Sequence, residues 1–169
     1  SKANHIGFGA FNSCKQLEAI RIPEGVTILY YTTFWDCNNL KSIILHNGLT
    51  SIENGVFVDC DSLSTITFPD SLVKIGNYTF GYCDALDSIT IPASVTDIGT
   101  EPFGYCNNLK SLQVAEGNPK YDSRDNCNAI IETATNKMAV GCAATIIPEG
   151  ITTLGTYAFS GIYLPKIVL

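Results

Sequence analysis

The amino-acid sequence repeats itself every 23 residues, and that period leaves the chain very few architectures to choose from. Phe11, Phe34, Phe57, Phe80 and Phe103 recur at this interval, and Cys14, Cys37, Cys60, Cys83 and Cys106 follow three positions behind them. Leu17, Leu40, Leu63, Leu86 and Leu109 form the next column, then Ile20, Ile43, Ile66, Ile89 and Leu112, then Ile22, Leu45, Phe68, Ile91 and Val114. On the return side stand Val26, Leu49, Leu72 and Val95, followed by Ile6, Leu29, Ile52, Ile75 and Ile98. One unit of this length cannot bury its own apolar side. Successive units must therefore stack, so that each column becomes a ladder of like side chains in one continuous core.

Within a unit, the segment Leu-x-x-Ile-x-Ile, as in Leu86 to Ile91, ends in period-two alternation. That pattern predicts a short strand with Ile89 and Ile91 inward and Ser88 and Thr90 outward. Pro23, Pro69, Pro92 and Pro148 then close the strand, because proline cannot donate to a ladder. Helical spacing is weak throughout. The expected fold is a repeat solenoid, a right-handed coil with a parallel ladder of short strands, mostly β and turns with little helix.

Hydrophobic residues make up 46% and charged residues 15% of the chain, which excludes intrinsic disorder. A net charge of −6 repels phosphate backbones and anionic headgroups, so nucleic acid is not an expected partner. No apolar run approaches the roughly 20 residues of a membrane helix, so no membrane insertion of this segment is expected. Ser1-Lys2-Ala3-Asn4 includes no apolar targeting core and assigns no compartment.

The consensus C-x-x-L-x-x-I-x-I-P, then V-T-x-I-G and a Phe before the next Cys, resembles the BspA-like (Treponema-type) leucine-rich repeats. Thr90-Ile91-Pro92-Ala93-Ser94-Val95-Thr96-Asp97-Ile98-Gly99 carries the match most closely. The resemblance implies a secreted or cell-surface protein, mostly bacterial, that adheres to host matrix proteins or to other cells.

The register breaks once. Phe159 lies 56 residues after Phe103, and the pattern resumes at Ile147-Pro148. Residues 1–114 are read as regular repeats, 115–146 as an irregular insertion and 147–169 as a resumed, truncated repeat. The insertion opens with the turn signal Gly117-Asn118-Pro119, and its two apolar runs flank the polar loop Thr133-Ala134-Thr135-Asn136, which predicts a β-hairpin. Pairing Glu132 with Lys137 sets Ile131 opposite Met138 and Cys127 opposite Cys142. Cys127 and Cys142 are thus candidates for a cross-strand disulfide, with two packed thiols as the alternative. Leu164, Ile167 and Leu169 fit a further strand if one residue is deleted after Gly161. Both ends fall inside repeats without a polar cap, so the chain is expected to be part of a longer array.

The side chains that could carry chemistry are few. A single ladder of cysteines places thiols in a line rather than around a point, so the column reads as packing and no metal site is expected. Only His5 and His46 are present, and His46 takes the proline position as an exposed substitution. No Ser/His/Asp or Cys/His constellation and no catalytic carboxylate pair with a cleft can be assembled. Neither catalytic residues nor a cofactor are predicted, and the chain is not expected to be an enzyme. Asp122, Asp125 and Asn126 read as turn chemistry rather than a calcium loop. Asn77-Tyr78-Thr79 is a glycosylation sequon, relevant only to a eukaryotic secreted protein.

The outward strand columns, Ala19, Ser42, Thr65, Ser88, Ser111 and Arg21, Ile44, Thr67, Thr90, Gln113, are small and polar for the most part. The aromatics are more pointed. Tyr30 replaces the glycine of most other repeats, Tyr31 and Trp35 flank Phe34, and Tyr82 and Tyr105 share a column two residues after the Phe. Tyr and Trp are enriched at binding hot spots, so these five residues are the candidate partner-binding set. A protein partner, from host matrix or another cell surface, is the expected ligand. A structural spacer in a larger surface protein and a glycan-binding module are the alternatives.

Overall fold

A computed structural model describes residues 3–164 and shows a solenoid of stacked coils. The predicted strands run along one side. β1 (Ala19–Arg21) pairs in parallel with β3 (Ser42–Ile44), and β6 (Ser88–Ile91) with β8 (Ser111–Val114), each residue facing its equivalent one repeat away. Ile89 and Ile91 are buried while Thr90 is exposed, as the alternation requires. Between these pairs the third coil forms only a single bridge, Thr65 to Ser88. Its Phe68, the largest side chain of its column, packs edge-on against Phe80 at 5.8 Å.

The return side carries a second parallel ladder that the sequence reading did not anticipate as strand. β2 (Ile28–Leu29), β4 (Ser51–Ile52), β5 (Lys74–Ile75) and β7 (Asp97–Ile98) stack in order, with Leu29, Ile52, Ile75 and Ile98 in one line. Two-residue strands are too short to leave a period-two signature, which explains the omission.

The Phe column forms the core spine. Successive rings from Phe11 to Phe103 stack at 5.1–5.5 Å, and all but Phe11 are buried. The cysteine column has a specific task. Sγ of Cys37, Cys60, Cys83 and Cys106 donates to the carbonyl of Phe11, Phe34, Phe57 and Phe80, at 3.1, 3.2, 3.0 and 2.9 Å. A thiol is apolar enough for the core yet adds a second donor to a carbonyl that already accepts the backbone N–H three residues on, such as Cys37 N on Phe34 O at 3.3 Å. Desolvation pushes the Cys37 thiol up to about 11 and raises those of Cys60 and Cys83 further.

The insertion is a hairpin built into the stack. β10 (Ala129–Glu132) pairs antiparallel with β11 (Lys137–Gly141), and Glu132 faces Lys137 with their ion pair at 3.2 Å, as expected. β9 (Tyr121–Asp122) and β12 (Thr153–Leu154) complete a four-stranded sheet. Both hairpin faces are buried: Ile130, Val140 and Cys142 join the repeat core, while Cys127, Ala129, Ile131 and Met138 form a second cluster with Ile147, Ile151 and Phe159. A β-bulge between Ile130 and Ile131 shifts the register by one, so the facing of Cys127 and Cys142 expected from the sequence does not form. The two thiols are free and belong to different clusters. Asp122, which superficially suggested calcium, instead holds Arg124 through two side-chain bonds of 2.9 and 2.6 Å. Leu164 is half-buried outside any strand, and Ile167 and Leu169 lie outside the described residues.

Candidate binding face

Each coil turns from its return strand into the next Phe through a segment with two left-handed residues, one two positions before the Phe and one two positions after it. The first column is Gly9, Thr32, Gly55, Tyr78, Glu101 and Tyr157; the second is Ser13, Asp36, Asp59, Tyr82, Tyr105 and Gly161. All have φ between 50° and 66°. This backbone hands its N–H groups along the stack: Gly55, Phe57 and Asp59 donate to the carbonyls of Asn77, Thr79 and Gly81 at 2.9, 2.8 and 3.0 Å. Gly, Asp and Ser suit such a turn. Tyrosine does not, since a bulky side chain in the left-handed region is strained by about 1 kcal/mol or more.

Two of the four left-handed tyrosines, Tyr78 and Tyr82, come together with two unstrained aromatics. Tyr31, Trp35, Tyr78 and Tyr82 line a groove of about 410 Å³ on this turn face, with Asn54, Asn77 and Asp59 at its polar margin. Gly55 keeps the floor open, because a β-carbon there would already lie 3.6 Å from both the Tyr31 and Trp35 rings. Tyr105 stacks on Tyr82 with centroids 4.4 Å apart and extends the aromatic surface. Phe8 extends it the other way, 5.3 Å from Tyr31. Of the five aromatics singled out from the sequence, three line the groove and Tyr105 adjoins it. Tyr30 does not belong; it is half-buried and packs against His5 at 5.3 Å.

Tyr78 was missed. Its column holds glycine in two other coils, Gly9 and Gly55, and the test that drew attention to Tyr30 would have found it if applied two positions further on. Its hydroxyl donates to the buried Glu101 carboxylate, which fixes the ring and pushes the Tyr78 pKa up to about 12. Asn54 and Asn77 also have fixed orientations. Asn54 Oδ1 accepts from Asn77 N at 2.8 Å and Asn77 Oδ1 from Thr100 N at 2.7 Å. Gly76 and Gly99 make room for these amides, since a β-carbon at either would overlap the asparagine of the preceding coil.

The strand face offers less. Where the ladder is interrupted, an open cleft of about 520 Å³ lies between Ile43–Leu45 and Thr67–Asp70, with Ile44 exposed beside it. Ile43, Ile44, Leu45 and the single ring of Phe68 line it with Asn47 and Asp70, and no cluster of rings converges on it. His46 is not merely an exposed substitution: it is half-buried, and its Nε2 lies 3.0 Å from the Val26 carbonyl, tying two coils together. Among the described residues no group of three or more His, Cys, Asp or Glu side chains could hold a metal ion. No helix of the described residues is long and apolar enough to cross a membrane.

The model of the BspA type leucine rich repeat region matches residues 4–131 in six copies. The chain belongs to this family. The match ends inside β10, so the BspA-type repeats run into the insertion before the pattern is lost. A search of curated proteins found no match. Among solved structures, a leucine-rich repeat protein from Eubacterium ventriosum is similar at 28% identity with a TM-score of 0.82, covering 97% of this chain and 44% of that one. The Treponema pallidum leucine rich repeat protein is 29% identical with a TM-score of 0.71, over 94% of this chain and 70% of that chain. A leucine rich cell surface protein from Faecalibacterium prausnitzii shares the fold at 24% identity and a TM-score of 0.66, covering 95% of this chain and 51% of that one. This BspA-type chain therefore spans less than half the length of the E. ventriosum protein.

Proposed function

We propose that this BspA-type array is the adhesive module of a secreted or cell-surface bacterial protein, binding a protein partner on host matrix or another cell through the aromatic turn face. The observation that carries the reading is the convergence of Tyr31, Trp35, Tyr78 and Tyr82 on one groove. Two of these rings stand on left-handed backbone where the fold alone favours small residues. Strain kept at an exposed surface position supports a functional reading, and rigid aromatics bury much area at low entropic cost. The repeat family and fold are those of binding modules, and the F. prausnitzii relative is described as a cell surface protein.

The test is a binding panel of immobilised matrix proteins, with a glycan array in parallel. Trp35→Ala, kept only if its melting profile matches wild type, is expected to lose binding by about 2 kcal/mol or more. Thr67→Arg and Thr90→Arg, on the strand face, are expected to leave it intact. The opposite pattern would move the site to the strand face and reduce the aromatic groove to packing.

A further inference from the structure

The groove contains one ionised side chain, Asp59, and that carboxylate has no ion-pair partner among the described residues. Its counterpart one coil earlier, Asp36, is neutralised by Lys15 at 3.1 Å. Burial and the nearby carboxylates of Asp61, Asp36 and Asp84 push the Asp59 pKa up, the direction expected of an acid that lacks a counterion. The chain as a whole carries −6. Covering this groove with an apolar surface would strip water from Asp59 and give nothing back, a neutral polar surface would return hydrogen bonds without charge, and an anionic surface would add repulsion. A cation removes the conflict, because the faces of Trp and Tyr rings attract positive charge as the carboxylate does.

We propose that the groove receives an arginine or lysine side chain from a basic segment of the partner protein, its cation held between the Tyr31, Trp35 and Tyr82 rings and the Asp59 carboxylate. This rests on the reading that the turn face is the contact surface, and adds the chemistry of what enters it. Gly55 leaves the space on the floor, and the Tyr78–Glu101 bond holds one wall in place while keeping Glu101 engaged.

Trp35 is the sole tryptophan, so the groove carries its own reporter. The probe is an acetylated, amidated octapeptide of alternating glycine and arginine, titrated against the whole chain while tryptophan emission is followed. A twin with citrulline in place of arginine keeps the shape and loses the charge. A saturable emission change is expected with the arginine peptide, about tenfold weaker with the citrulline twin and with Asp59→Asn. Asparagine tolerates the left-handed turn, so Asp59→Asn is expected to fold. Asp70→Asn alters net charge equally on the strand face, away from the groove, and is expected to bind as wild type.

Equal response to the two peptides, an unchanged Asp59→Asn, an equal loss in Asp70→Asn, or no saturation with the arginine peptide would each overturn the proposal. So would a saturable response to a neutral oligosaccharide such as cellohexaose in place of the arginine peptide, which would make the groove a sugar site. None of these touches the reading of the face as the adhesive surface, which fails separately if Trp35→Ala leaves partner binding intact.

Discussion

Phe80 and Tyr82 stand two residues apart in one coil, as do Phe103 and Tyr105 in the next. Both pairs of rings stack along the same axis, at 5.5 Å inside and 4.4 Å outside. The inner column agrees with every level of the structure: period, burial and backbone all call for a large apolar side chain there. The outer column sets those levels against one another. Tyr82 and Tyr105 are partly exposed, and their φ angles of 62° and 64° belong to a turn filled elsewhere by Asp, Ser or Gly. A position where local preference is overridden to keep a ring at the surface is where function is to be sought. The inner rings hold the stack together; the outer rings are a surface that the stack displays.

The largest expected effect lies on the inner side. Phe57 is fully buried between Phe34 and Phe80, at 5.5 and 5.1 Å, so Phe57→Ala is expected to cost about 3–5 kcal/mol by leaving a cavity in a stack that cannot collapse from either side. Phe11→Ala is expected to cost clearly less, because Phe11 is only half-buried and has one ring neighbour in its column. Denaturant unfolding of both variants measures the contrast. Equal losses would show that burial does not set the ranking.

A step down in magnitude, the hairpin tests whether the spine continues past Phe103. Gly141 has no side chain because the Phe159 ring occupies the space where a β-carbon would stand, and its N–H donates to Ala158 at 2.8 Å. Gly141→Ala is expected to cost about 1–3 kcal/mol through overpacking. Hydrogen exchange should rise across residues 147–164 and stay at wild-type levels in the Phe34–Phe80 coils. A uniform rise along the chain would mean that the hairpin and the repeats unfold as one unit.

How much of this contrast could be read in advance follows from what a period encodes. Columns of Phe, Cys and Leu are visible because each copy satisfies the same packing requirement, and most of the repeat core was legible, while Val56, which belongs to no column, was not. The second strand ladder was not, because Ile28–Leu29 and its equivalents are too short to alternate. Nor was the bulge between Ile130 and Ile131, where one extra residue separates Cys127 from the facing that simple pairing gives it. The aromatic groove was legible in part. Tyr31, Trp35 and Tyr82 stood out as departures from the repeat, but φ is not written in a sequence, and without it Tyr30 and Tyr78 were exchanged.

The cysteine column extends the inner-outer contrast to reactivity. Cys14 is exposed, whereas the other six thiols are buried and four of them donate to phenylalanine carbonyls. A thiol-reactive dye is therefore expected to label Cys14 alone in the native chain and all seven cysteines after unfolding. Cys60→Ala is expected to cost about 1–2 kcal/mol, from a small cavity and from the lost thiol bond to the Phe34 carbonyl, which keeps only its backbone donor Cys37 N. Rapid native labelling of a second cysteine would mean that the stack opens locally around that thiol.

The smallest effect on stability is expected to be the most informative. Tyr82→Asn removes a stacked ring worth about 0.5–1.5 kcal/mol against Tyr105. It also replaces a bulky left-handed residue with one that tolerates the turn, which returns about 1 kcal/mol. The two terms oppose each other at similar size, so the melting temperature is expected to stay close to that of wild type. Partner binding, by contrast, is expected to fall, since a groove-lining ring has been lost. Phe80→Ala, two residues away, should unfold the array without saying anything about the groove. If Tyr82→Asn destabilises as strongly as an inner substitution, the outer rings are a second core rather than a display surface. The difference between the two columns would then be one of depth and not of role.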